Sequence, residues 1–124
     1  MIELPPGFKP THETAGLPGF PAVDVFGQPR EMVRVHFWGR VVRVSGHPPW
    51  EGGSPGGAYG RSLYIENKAN GITRFLTHLD ELAVAVGDNI RPGQVVATVC
   101  DSKVSGKPGT THVHYARHQS PGVS

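Results

Sequence analysis

The chain has 124 residues, enough for one hydrophobic core but not for two. Its 17 glycines and 12 prolines, set against 37% hydrophobic residues, favour short elements joined by tight turns and leave little room for helices. A formal charge of +2 with no basic run argues against nucleic acid as a partner, the single cysteine excludes an intramolecular disulfide, and no stretch of about eighteen apolar residues could cross a membrane as a helix.

Residues 1–22 are rich in proline and glycine and lack periodicity, which predicts an extended arm that wraps the domain or binds a neighbour. Their opening, Met1-Ile2-Glu3-Leu4-Pro5-Pro6, has neither a basic n-region nor a long apolar h-region, so no export or membrane signal is expected. Action outside a cytoplasm would then need delivery, for instance by a virion such as a phage tail, or by a lysis system.

The ordered domain is expected over residues 23–118, followed by a short tail, 119–124. Val-rich stretches alternate there with turn signals and predict strands at Met32 to Val35, Gly39 to Val44, Ser62 to Glu66, Thr73 to Thr77, Gln94 to Val99 and Thr111 to Ala116. Between the second and third lies a Pro/Gly-rich surface loop containing Trp50, a contact residue for a ligand or an anchor for the loop itself. Asn70-Gly71 supplies a hairpin turn with positive φ angles, and Cys100, after an apolar strand, reads as a small buried thiol without chemistry. So many short strands favour a closed or two-sheet all-β architecture, because an open sheet would leave unpaired edges.

Seven histidines are many for this length, and imidazole both ligates metals and titrates near neutrality. His112-Val113-His114 lies in a strand-like stretch, where residues two apart share a face, so two imidazoles converge. One of them could ligate a metal while the other acts on a water or substrate. Asp24 sits in a short apolar segment where an unpaired carboxylate is costly, and His78 closes a predicted strand. Taken singly, a turn or cap explains Asp24 and a polar strand end explains His78; together with the His pair they are the parts of a hydrolytic zinc site.

Five segments carry a resemblance: Phe20-Pro21-Ala22-Val23-Asp24, Trp38-Gly39-Arg40-Val41, Leu76-Thr77-His78-Leu79, Gly87-Asp88-Asn89-Ile90-Arg91-Pro92-Gly93-Gln94 and His112-Val113-His114. In order and spacing the chain resembles the lysostaphin or LytM-type zinc endopeptidases over about four fifths of its length. The resemblance implies a compact barrel-sandwich of short antiparallel strands with long loops, the duplicated hybrid motif. It implies that Asp24 and His114 ligate zinc, with His112 as general base or transition-state stabiliser and His78 as its partner. The chain departs from the family at Phe20, where the family's first zinc-binding histidine belongs. His12, carried on the arm, and His36 are the candidate substitutes for that ligand.

Two functions follow. The first is a degenerate or weakly active peptidoglycan-endopeptidase-like domain that serves as a structural or binding module, in a phage tail or a cell-wall-associated assembly, with a neighbouring protein as its partner. The alternative is an active zinc endopeptidase that cleaves peptidoglycan peptides. A carrier or sugar-phosphotransferase domain, suggested by the Gly-Asp-x-x-x-x-Gly-Gln turn, fits less well, because no lysine sits in a carrier's flanking pattern.

Overall fold

The computed structural model describes residues 1–13, 21–45, 60–101 and 109–119. Among these residues all regular structure is β: β1 (Ile2–Leu4), β2 (His12–Glu13), β3 (Pro21–Phe26), β4 (Met32–Val35), β5 (Gly39–Ser45), β6 (Arg61–Asn67), β7 (Ile72–Leu82), β8 (Asn89–Ile90), β9 (Gln94–Val99) and β10 (His112–Gln119). The fold is all-β, as composition and turn chemistry require.

Hydrogen bonding runs through one branched sheet rather than two separate ones, in the order β1-β4-β9-β7-β10-β3-β2, with β6, β5 and β8 branching from β7. The branch point is β7, whose eleven residues span more than one neighbour. Its first half pairs β10, from His114↔Thr77 to Gln119↔Ile72, and its second half pairs β9 at Leu79↔Val99 and Leu82↔Ala97. The pairings are antiparallel except that β1 lies parallel to β4, a departure from the uniformly antiparallel expectation.

That parallel strand lies in the segment expected to be an arm. Ile2 and Leu4 project into the main core at 2% and 0% exposure, opposite Val33 and Val35, while Glu3 between them faces outward. Two buried aliphatic side chains two residues apart make β1 a strand of the core, so residues 2–4 pack with the domain expected over 23–118. At the other end β10 runs to Gln119, one residue past the expected boundary.

The main core gathers Leu4, Val33, Val35, Leu63, Ile65, Leu76, Val96, Val99, Val113 and Tyr115. On the opposite face of β7 and β10 a smaller cluster, Ala22, Phe75 and Ala116 with Tyr64 against it, forms a second apolar floor. Residues 73–77 are therefore buried without alternation, because β7 is covered on both faces.

The hairpin between β6 and β7 forms where Asn70-Gly71 predicts it, but only Gly71 is left-handed, at φ 71°. Asn67 holds the turn instead: its side-chain oxygen accepts from the Ala69 N–H (2.9 Å), and its carbonyl accepts from the Gly71 N–H (2.9 Å). The Trp50 loop lies outside the described residues.

Candidate metal centre

Register brings the chemistry together. Asp24 on β3 faces His114 on β10, which faces Thr77 on β7, and residues paired across strands project to the same face. One row along, Ala22 faces Ala116, and Ala22 also faces His12 on β2. His12 and Asp24 are thus diagonal neighbours on one face, with the methyl groups of Ala22 and Ala116 leaving room for the imidazole.

Asp24 Oδ1 lies 3.3 Å from His114 Nδ1 and 3.6 Å from His12 Nε2, and the two imidazole nitrogens are 3.4 Å apart. Tetrahedral zinc with bonds of about 2.0–2.1 Å separates its ligand atoms by about 3.3–3.4 Å, so this triangle fits the ion. The donor set, two imidazoles and a carboxylate, is also one that leaves a fourth position for water in hydrolytic sites.

The carboxyl of Asp24 is half-buried, and burial alone would raise its pKa; the hydrogen bond from His114 and the charges of His112, His12 and His114 outweigh that and hold it below the ordinary carboxylate range.

His112 stands beside this triangle, its Nε2 3.8 Å from Asp24 Oδ1. Its Nδ1 is 2.8 Å from the Thr110 carbonyl, which can only accept, so Nδ1 carries the proton and Nε2 is the basic nitrogen facing the cluster.

His78 reaches the same group through a backbone irregularity. Between the pairs Leu63↔Leu76 and Arg61↔Leu79, β6 advances two residues and β7 advances three, a bulge at Thr77-His78. His78 takes a left-handed φ of 69°, and simple alternation, which would send it to the face opposite Thr77, is broken. Its ring meets His112 edge-on at 4.7 Å between centroids and lies 6.5 Å from His114. Cys100 holds the bulge from behind: its backbone N–H and its thiol both donate to the His78 carbonyl. Nothing in the sequence around Cys100 signals that role.

The structure thus gathers five of the six donor residues singled out from sequence: His12, Asp24, His78, His112 and His114. His36 is placed elsewhere, with its Nε2 on Glu3 of β1, where it ties β1 to the residue after β4. Phe20 lies outside the described residues. Phe26, 58% exposed at the rim with its ring 5.6 Å from His112, was missed; two residues beyond Asp24 on the same strand, it shares Asp24's face and was findable. A separate hollow of about 830 Å³, lined among others by Trp38, Val42, Lys68, Val86 and Arg91, lies toward the Asn67 end of β6, remote from the Arg61 end that His78 adjoins.

An all-β sheet carrying a His-Asp-His triangle with two further imidazoles beside it defines a metallopeptidase-like domain. The family model of peptidase family M23 matches residues 21–122, and the chain belongs to that family. Among solved structures it is similar to the catalytic domain of the prophage-encoded M23 protein EnpA from Enterococcus faecalis (TM-score 0.61, 19% identity, 90% of this chain and 78% of that one). It is also similar to the catalytic domain of the antimicrobial peptidase lysostaphin from Staphylococcus simulans (0.58, 20%, 90% and 77%). A zinc-containing peptidase from Vibrio cholerae shares the fold as well (0.60, 22%), with 91% of this chain matching 32% of that one. No curated protein matches the chain by sequence search.

Proposed function

We propose that this domain is a zinc-dependent endopeptidase acting on peptide bonds of peptidoglycan, with His12, Asp24 and His114 as the zinc ligands. The observation that carries this reading is the spacing of those three donor atoms, 3.3–3.6 Å apart, which supports His12 as a third ligand despite Phe20. Bound there, zinc would polarise the scissile carbonyl and make water nucleophilic at neutral pH.

The chain's own residues do the rest. His112 Nε2 accepts the proton of the attacking water as its oxygen bonds to the carbonyl carbon, and returns it to the amine nitrogen as the C–N bond breaks. The Thr110 carbonyl keeps the proton on His112 Nδ1 throughout, leaving Nε2 to accept and return the other. His78, edge-on to His112, supports the imidazolium that forms and offers a donor to the developing oxyanion. Phe26 at the rim gives the substrate an apolar contact beside the base.

The competing reading, a scaffold or binding module that has lost zinc, rests on Phe20. Zinc stoichiometry and affinity, measured together with turnover of a peptidoglycan peptide, separate the two. The expected result is one tightly bound zinc whose affinity falls more than a hundredfold in His12→Ala, since even the outer partners of zinc ligands are worth about 10–100-fold. Negligible zinc binding by wild type, restored by Phe20→His, would instead establish the scaffold.

A further inference from the structure

The segment that brings His12 to the cluster is held along its length by side chains from the opposite face of the sheet. The Tyr115 hydroxyl donates to the Pro5 carbonyl at 2.6 Å, Arg74 Nη2 to the Pro6 carbonyl at 2.8 Å, and Arg117 Nη1 to the Phe8 carbonyl at 3.0 Å. The Phe8 ring packs 4.8 Å from the Tyr115 ring and lies 4.5 Å under the Arg117 guanidinium. Tyr115 and Arg117 alternate with His114 and Ala116 along β10, so this clamp lies beneath the sheet while the metal ligands lie above it.

The segment therefore passes under the sheet and rises at its edge. There the Thr11 N–H donates to the Ala22 carbonyl at 2.9 Å, and His12 emerges on the other face. A stretch containing Pro5, Pro6 and Pro10 offers few backbone N–H groups for a sheet ladder, but its carbonyls can still accept from side chains. Three side chains from two strands, each on a different carbonyl, hold the path that ends at His12.

We infer that residues 5–12 are a strap whose docking and the retention of zinc are a single linked equilibrium, with Arg117 a positioning residue for His12. This rests on the assignment of His12, Asp24 and His114 as ligands. The clamp holds the strap so that His12 meets Asp24 and His114, and a metal bound by all three holds the strap in return. Linkage is reciprocal, so whatever lifts the strap from Tyr115, Arg74 and Arg117 weakens the metal site by the factor with which metal tightens the strap.

The test uses the full chain as wild type, Arg117→Met, His12→Ala and the double variant, with zinc affinity from chelator competition and hydrogen exchange of the Thr11 amide measured with and without zinc. Zinc is expected to slow Thr11 exchange at least tenfold in wild type and to leave it unchanged in His12→Ala. Arg117→Met is expected to weaken zinc binding by about 10–100-fold, the range for partners that orient a ligand, and to cause no further loss in the His12→Ala background. Arg117→Lys, which keeps a donor but loses the planar face over Phe8, gives a smaller loss and takes the place of Arg117→Met if that variant does not fold. Equal losses from Arg117→Met in both backgrounds, or tight zinc binding that needs His12 but leaves Thr11 exchange untouched, overturns the linkage alone. Zinc binding indifferent to His12→Ala removes the ligand assignment and the linkage with it.

Discussion

The two faces of β7 and β10 are built from neighbouring residues and serve opposite ends. Downward, Leu76, Val113 and Tyr115 enter the main core; upward, Phe75, Thr77, His112 and His114 line the site over a floor of small and aromatic groups. The period of two that packs one face also aligns the imidazoles on the other. Strands anchored by a core on one face thus position the clustered histidines on the other, and the two faces should respond differently to substitution.

The largest expected effect is on the core face. Leu76→Ala, at a fully buried position, should cost about 2–5 kcal/mol of folding stability in denaturant titration. Zinc affinity extrapolated to the folded fraction should stay within about twofold. A large loss of intrinsic affinity would mean that the faces are not separable.

Tyr115 sharpens the comparison through pH. Burial, opposed by the nearby Arg74 and Arg117, pushes its phenol up to about 12 from an ordinary 10. The raised value favours the neutral form in the folded state, so the contribution is complete below pH 10 and is lost as pH rises from about 10 to about 12. Two units correspond to about 3 kcal/mol. Tyr115→Phe should remove this part of the alkaline fall in stability, as seen in melts over that range compared with wild type.

The smallest effects on stability are expected where the backbone is left-handed without glycine, at His78 (φ 69°) on the site face and at Arg30 (φ 64°) in the turn between β3 and β4. Glycine at either position should stabilise the fold by about 1 kcal/mol in thermal melts, because it removes the Cβ strain. His78→Gly should nonetheless abolish most turnover with zinc still bound, while Arg30→Gly should leave turnover unchanged. Equal turnover losses would show that the strained backbone, and not the imidazole, is what the site needs.

Much was legible from residue order. The strands at 32–35 and 94–99 fall where alternating Val-rich stretches and flanking turns put them, and His112 and His114 share a face because any strand places them so. β1 was hidden, since three residues in a proline-rich context carry too little periodicity to distinguish a core strand from an arm. His78 read as a strand end because a bulge, the device that turns it toward His112, has no local signal beyond the strand's length.

Local sequence by itself determined the β class, most of the strands and the pairing of two imidazoles, because these depend on propensity and on a period of two residues. Tertiary structure alone decided which histidine joins Asp24 and His114. His12 lies 102 residues from His114 in sequence, and they meet only because three side-chain donors route a proline-rich strap under the sheet and around its edge. Contacts at that separation are set by how strands close on one another, which no local pattern encodes.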